Sequence, residues 1–174
     1  SVDIIDLGAE SSRPGATPIT FDEEIERLSP ALDYIKAHSN AFISIDTYKP
    51  ETASFALENG ADLINDITGG ESSALLQVVA DHNAGIVLMH KQGTPESMQK
   101  KPTYSNVVSE IKHYLSQQIE MAQSYGISTI AIDPGIGFGK TLDHNLAILK
   151  DLNSFKSLGC PILIGTSNKS FIGE

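Results

Sequence analysis

Ile130-Ala131-Ile132-Asp133-Pro134-Gly135-Ile136-Gly137-Phe138-Gly139-Lys140 is a short apolar run that ends in a carboxylate and opens at once into a glycine-rich turn. Glycines of this kind let backbone approach a ligand or another segment closely. A nucleotide loop is the first alternative, and the spacing excludes it. GxGxxG fails because its last glycine position holds Lys140, and the P-loop pattern ending in Gly139-Lys140-Thr141 fails because Pro134 stands at its first glycine. Proline also lacks the amide hydrogen that a phosphate cradle would use. What remains is a strand that delivers an acid at its C-terminal end.

The same pattern recurs along the chain. Val2 to Leu7, Ala41 to Asp46, Asp62 to Asp66, Gly85 to Met89, Thr129 to Asp133 and Pro161 to Gly165 each have about the length and composition of a buried parallel strand. Helical patterns separate them. Phe21, Ile25, Leu28, Leu32 and Ile35 recur at helical spacing behind a Thr20/Glu23 capping box. A second helix begins at Pro50 and stops near Gly60, and a third covers about Ala74 to His82. The fourth and longest places Val107, Val108, Ile111, Leu115, Ile119 and Ala122 on one face and ends at Gly126, while a fifth runs from about His144 to Asn153.

Strict β-α alternation predicts a parallel sheet covered by helices, either doubly wound or a (β/α)8 barrel. The polar residues favour the barrel. Asp6, Asp46, Asn65 with Asp66, His90 and Asp133 fall at or just after strand C-terminal ends, with Ser167 and Lys169 just past the last one. In a barrel these ends converge on one mouth, where active sites are built; a doubly wound sheet gathers ligand contacts at its switch point instead. Six strands and five helices fall short of eight units, and 174 residues fall short of the usual size of about 250. One barrel domain over residues 1–174 is therefore expected to lack its first strand unit and its last one or two.

Composition bounds the partners. A net charge of −10 with dispersed basic residues disfavours nucleic acid and anionic membranes, and no apolar run approaches the roughly 18 residues of a membrane span. The lone Cys160 excludes an internal disulfide and fits a reducing, cytoplasmic setting. None of the five histidines shows metal-ligand spacing.

Asp46, Asn65 and Asp133 on separate strands form an acceptor-rich set facing one space. A planar heterocycle with an amidine or guanidine-like edge matches it, because ionised carboxylates accept paired N–H bonds while an asparagine both donates and accepts. Lys169 would meet a ring carbonyl. Each residue also has a plainer reading: Asp46 or Thr47 as a helix cap, and Asn65-Asp66 as turn residues. Asp133 fits that reading less well, since a glycine-rich turn follows it before any helix. After the first strand, Glu10-Ser11-Ser12-Arg13-Pro14-Gly15 offers hydroxyls and an arginine suited to an anion, or a solvated surface loop. Ser167-Asn168-Lys169-Ser170 opens an expected helix whose N-terminus suits a carboxylate or phosphate.

Assembled, these residues closely resemble the dihydropteroate synthase family, pterin-binding (β/α)8 enzymes of folate biosynthesis. The resemblance covers nearly the whole chain. It is carried by Asp6-Leu7-Gly8-Ala9-Glu10-Ser11-Ser12-Arg13-Pro14-Gly15, Ser44-Ile45-Asp46-Thr47-Tyr48-Lys49-Pro50, Asn65-Asp66-Ile67, Leu88-Met89-His90, the Asp133 to Lys140 stretch, and Gly165-Thr166-Ser167-Asn168-Lys169-Ser170. It implies condensation of 6-hydroxymethyl-7,8-dihydropterin pyrophosphate with p-aminobenzoate to 7,8-dihydropteroate and pyrophosphate, with Mg2+ assisting. Catalysis would be chiefly positional and electrostatic, with pyrophosphate leaving before the arylamine attacks.

The resemblance also implies the site. Asp46, Asn65, Asp133 and Lys169 would hold the pterin, with Met89 packed on the ring and Gly165 as a further substrate contact. Ser12 and Arg13 would belong to a mobile loop near the pyrophosphate and p-aminobenzoate, and Pro14, Phe138 and Ser170 to the p-aminobenzoate pocket. Lys169, Asp46 and Arg13 are the expected catalytic groups. No metal ligand is expected in this chain; the family's loop asparagine, and its C-terminal arginine-histidine segment, have no counterpart here. Asn168 stands where many members carry arginine, which removes one positive charge. A homodimer, or fusion to another folate-pathway enzyme, is further implied, and the 174 residues alone are expected to be inactive. The alternatives are a cobalamin-type pterin-binding methyltransferase module, against which the Ser11 to Gly15 loop and Lys169 argue, and a catalytically silent pterin-binding fragment.

Overall fold

Parallel pairing builds a single ladder through the chain. The computed structural model describes residues 2–11, 17–93 and 102–167. Strands β1 (Ile4–Gly8), β2 (Phe42–Asp46), β3 (Leu63–Asp66), β4 (Gly85–Met89) and β5 (Ile130–Asp133) alternate with helices α1 (Phe21–His38), α2 (Pro50–Glu58), α3 (Ser73–Asp81), α4 (Val107–Ser124) and α5 (Leu142–Lys150). The strand order is β1-β2-β3-β4-β5, every pair parallel. Among the described residues each strand lies beside its predecessor and the order never reverses, so they contain no switch point. The fold is α/β of the (β/α)8 barrel class, wound in one direction.

Strand period fixes which residues face what. Ile43, Ile45, Ile64, Ile86, Leu88 and Ile132 point toward the helices and pack with Leu28, Leu32, Leu75, Ile111, Leu115 and Phe155 into one core. The intervening residues take the opposite face. There, apolar Ile4 and Phe42 stand at the N-terminal strand ends, 51% and 61% exposed, whereas Asp46, Asn65 and Asp133 stand at the C-terminal ends. The face thus changes from apolar to polar along the strand direction.

Local signals explain the helices. Both halves of the α1 capping box form: Thr20 Oγ1 accepts from Glu23 N at 3.3 Å, and Glu23 Oε2 accepts from Thr20 N at 2.9 Å. Pro50 occupies the first turn of α2, and Gly126 follows α4 with φ of 91°, a conformation that glycine adopts without strain. Helix α5 starts two residues before the expected His144, because Thr141 caps it reciprocally with the His144 ring. A 3-10 helix, Leu152–Leu158, then takes the place of the expected last helical turn.

Two strand expectations need correction. β1 begins at Ile4 rather than Val2, since pairing with β2 starts at Ile4 and Phe42 and leaves Val2 exposed. Pro161 to Gly165 forms no strand. It makes one bridge, Ile132 to Ile162, flanked by Ile132 N donating to Pro161 O and Leu163 N donating to Ile132 O. With only β5 beside it among the described residues, pairing stops after that bridge. Among those residues no helix is long and apolar enough to cross a membrane.

Candidate active site

Parallel register sets Asp46 of β2 directly beside Asn65 of β3. Asn65 Nδ2 donates to Asp6 Oδ2 at 3.1 Å, which ties β1 to β3 across the same face. Burial raises the Asp46 carboxyl to about 7, and the negative charges of Asp6, Asp66, Glu10 and Glu24 push in the same direction. A carboxyl poised there can accept or donate a hydrogen bond near neutral pH. The plainer reading of Asp46 as a helix cap fails, because α2 has no side-chain cap.

Asn65 and Asp66 divide their work by strand parity. Asn65 faces the site, whereas Asp66 is fully buried on the helix side and builds the following turn. Its Oδ1 accepts from Thr68 N at 2.8 Å and Thr68 Oγ1 at 2.6 Å, and its Oδ2 from Gly70 N at 2.7 Å. The turn reading therefore holds for Asp66 and not for Asn65.

Asp133 ends β5 opposite Met89 of β4; both are buried and lie on the face away from the helices. Asp133 Oδ1 accepts from Gly135 N at 2.7 Å, so the carboxylate is held by its own turn. Phe138 N donates to Gly135 O and Gly137 N to Asn145 Oδ1. These amides are spent within the turn and on α5, in keeping with the exclusion of a phosphate cradle. Gly135 has φ of 72°, and a Cβ there would lie 1.8 Å from the His90 carbonyl oxygen. Only glycine permits this approach of the turn to the end of β4.

The expectation that His90 lines the mouth is corrected by where its ring packs: one residue past Met89, it turns toward Tyr114 of α4, with only 6% of the residue exposed. Its ring meets Tyr114 edge-on at 5.1 Å, and its Nδ1 lies 3.0 Å from Lys140 Nζ. Burial, then the nearby Lys140 charge, lowers its pKa to about 3, so the ring is neutral. An ammonium can only donate, which makes Nδ1 the acceptor and leaves the ring proton on Nε2.

A second polar cluster braces the segment after β1. Glu10 accepts from Tyr48 Oη at 2.8 Å, Lys49 Nζ at 2.7 Å and Ile19 N at 2.9 Å. Lys49 Nζ also donates to Ile19 O at 2.6 Å and lies 3.1 Å from Glu24 Oε2. Glu24, 1% exposed, accepts from Thr47 and Thr52 hydroxyls. Neither Glu24 nor Lys140 stands out in the sequence: one looks like a solvated first-turn acid, the other like a failed P-loop lysine. Lys49, close after Asp46 in the chain, comes nearest to a visible signal.

Phe138 is half-buried on the glycine-rich turn, while Gly165 is exposed, with open space where a side-chain carbon would stand. Ser12, Arg13, Pro14, Lys169 and Ser170 lie outside the described residues. Among the described residues no group of three or more His, Cys, Asp or Glu could hold a metal ion, so they do not by themselves fit Mg2+.

Known proteins share this fold. Dihydropteroate synthase of Synechocystis sp. is 42% identical over 174 residues, which cover 98% of this chain and 60% of that protein. The structure of Yersinia pestis dihydropteroate synthase with a sulfonamide drug complex superposes with a TM-score of 0.95 at 35% identity, over 98% of this chain and 63% of the other. Dihydropteroate synthase of Thermus thermophilus in complex with 4-aminobenzoate gives 0.90 at 42% identity, over 98% and 65%. The chain thus spans about three-fifths of the length of these relatives. The family described as pterin binding enzyme matches residues 2–174, and this chain belongs to it.

Proposed function

We propose that the whole protein carrying this chain is a dihydropteroate synthase, joining 6-hydroxymethyl-7,8-dihydropterin pyrophosphate to p-aminobenzoate. The observation that carries this reading is the presentation of Asp46, Asn65, Met89 and Asp133 on one face, at the C-terminal ends of four consecutive strands. Carboxylates at the two sides of this row suit the N–H groups of an aminopyrimidine edge, and Asn65, already donating to Asp6, offers its carbonyl oxygen to a further N–H. Met89 supplies an apolar, polarisable surface for a ring face.

In the reaction, the bond between the exocyclic methylene carbon and the pyrophosphate oxygen breaks, and its electron pair leaves with pyrophosphate. The arylamine nitrogen forms the new C–N bond and gives up a proton. The electron-rich pterin stabilises the cationic carbon, and Asp46 and Asp133 hold the ring in place, so no side-chain nucleophile is needed. Arg13 and Lys169 are proposed as the basic partners of the pyrophosphate and ring carbonyl, Ser12, Pro14, Phe138, Gly165 and Ser170 as further substrate contacts. Mg2+ is proposed, on the family resemblance alone, to neutralise pyrophosphate charge.

The remaining barrel units are proposed to lie outside residues 1–174 and to cover the face where Ile4 and Phe42 are exposed. Homodimerisation and fusion to another folate-pathway enzyme are proposed on the resemblance alone, and a cytoplasmic setting on the lone Cys160. The test is pyrophosphate release and dihydropteroate formation by the whole protein, with each substrate omitted in turn. Release dependent on the pterin pyrophosphate, and product dependent on p-aminobenzoate, are expected. Methyl transfer from a reduced folate to cobalamin, with no pyrophosphate released, would replace this reading with a methyltransferase.

A further inference from the structure

Lys140 is only 4% exposed, yet it stands in the turn that follows Asp133. Its ammonium lies 2.9 Å from Phe138 O, 3.0 Å from His90 Nδ1 and 3.3 Å from His90 O. A buried ammonium costs free energy that only such acceptors offset. The bonds join two segments that present the candidate site, the end of β4 and the glycine-rich turn after β5. His90 N also donates to Asp133 O, and Gly135 N holds Asp133 Oδ1. On its far side the His90 ring rests on Tyr114, whose hydroxyl donates to Thr68 O after β3. The Tyr104 hydroxyl donates to Gly139 O, one residue before Lys140.

From this network we propose that Lys140 is a positioning residue for pterin binding: seated on His90 Nδ1 and the Phe138 carbonyl, it fixes the turn that orients the Asp133 carboxylate. The inference rests on the pterin-binding reading of Asp133 given above. Lys140 touches neither reacting atom and acts through the turn. Charge and length both matter, because the ammonium must span from its own backbone to the neutral imidazole.

The test is calorimetric binding of 6-hydroxymethyl-7,8-dihydropterin pyrophosphate to the whole protein, wild type and variants. Lys140→Met keeps an unbranched side chain out to Cε and removes the terminal ammonium; affinity is expected to fall about tenfold, the scale of one charge-assisted hydrogen bond. Lys140→Arg should recover most of that loss. A second readout is the nitrogen resonance of His90, where Nδ1 should be the unprotonated ring nitrogen in wild type and lose that tautomer preference in Lys140→Met. If Lys140→Met does not fold, His90→Leu removes the acceptor instead and should weaken binding several-fold, while His90→Asn, whose amide oxygen replaces Nδ1, should restore it. Wild-type protein that fails to bind the pterin sinks the functional reading. Wild type that binds, beside folded Lys140→Met of equal affinity, or His90→Leu of equal affinity should Lys140→Met not fold, overturns the positioning role alone.

Discussion

Lys49 Nζ sits 2.7 Å from Glu10 Oε2 and 3.1 Å from Glu24 Oε2, so one ammonium bridges the segment after β1 to the first turn of α1. Glu24 is almost wholly buried, and removing its cation would strand a carboxylate in the core. Lys49→Met is expected to cost about 3 kcal/mol in urea unfolding, the scale for breaking a buried pair from one side. Adding Glu24→Gln should return part of that loss, since a neutral amide needs no counter-charge; a purely additive double variant would refute the coupling.

Glu10 adds a pH signature to the same cluster. Burial pushes its carboxyl up, but the bonds from Lys49, Ile19 and Tyr48 outweigh burial and the net shift is downward from 4.5. A folded value below the unfolded one means the native state releases its proton first, so stability is present above about 4.5 and is lost as pH falls through the lower folded value. Glu10→Gln should therefore flatten the acid limb of a stability-against-pH curve. An unchanged limb would show that the cluster does not couple to folding.

Asp46 carries the opposite sign. Its folded value of about 7 lies above 3.8, so the native state keeps the proton longer than the unfolded chain does. Stability contributed by this group falls as pH rises between those values, by at most about 4 kcal/mol. Asp46→Asn should match wild type near pH 4 and be more stable at pH 8, while losing pterin affinity through loss of an ionisable acceptor. Equal effects on stability at both pH values would show that ionisation at Asp46 is not the cause.

Two glycines of similar backbone conformation make a contrasting pair. Gly135 and Gly159 have φ of 72° and 76°, but a side-chain carbon would meet the His90 carbonyl at 1.8 Å in the first and nothing within 4 Å in the second. Gly159→Ala should cost about 1 kcal/mol from backbone strain alone. Gly135→Ala adds displacement of the turn and should cost at least about 4 kcal/mol, or prevent folding. Thermal melts of the two variants that coincide would remove steric approach as the reason for Gly135.

Features legible in the sequence are those set by neighbours in the chain. The Thr20/Glu23 box, Pro50 at the start of α2, Gly126 after α4 and the apolar-to-acid ending of β5 all read directly, because caps, periodicity and turns act over a few residues. Strand parity then sends Asn65 to the site and Asp66 to its turn, a division that the dipeptide alone does not reveal. Glu24, Lys49 and Lys140 draw their roles from contacts 23 to 50 residues away, such as Thr47 with Glu24 and Lys140 with His90. Charged side chains that meet only through the fold leave no spacing to read. Pro161 to Gly165 has a strand's composition but pairs at one bridge, since pairing depends on neighbours rather than on composition.

Asp133→Asn isolates charge from architecture at the proposed pterin site. Asp133 Oδ1 accepts from Gly135 N, and an asparagine keeps a carbonyl oxygen able to take that bond, so turn and fold should persist with a melting temperature near wild type. The exchange removes the negative charge and puts an N–H donor where the carboxylate would receive the donors of an aminopyrimidine edge. Donor then faces donor in a buried setting, which costs more than loss of one bond. Turnover of the pterin pyrophosphate by the whole protein should fall by about two to three orders of magnitude, with most of the loss in pterin affinity. Near-normal dihydropteroate formation by a folded Asp133→Asn variant would remove Asp133 from the site and, with it, the reason this glycine-rich turn begins with an acid.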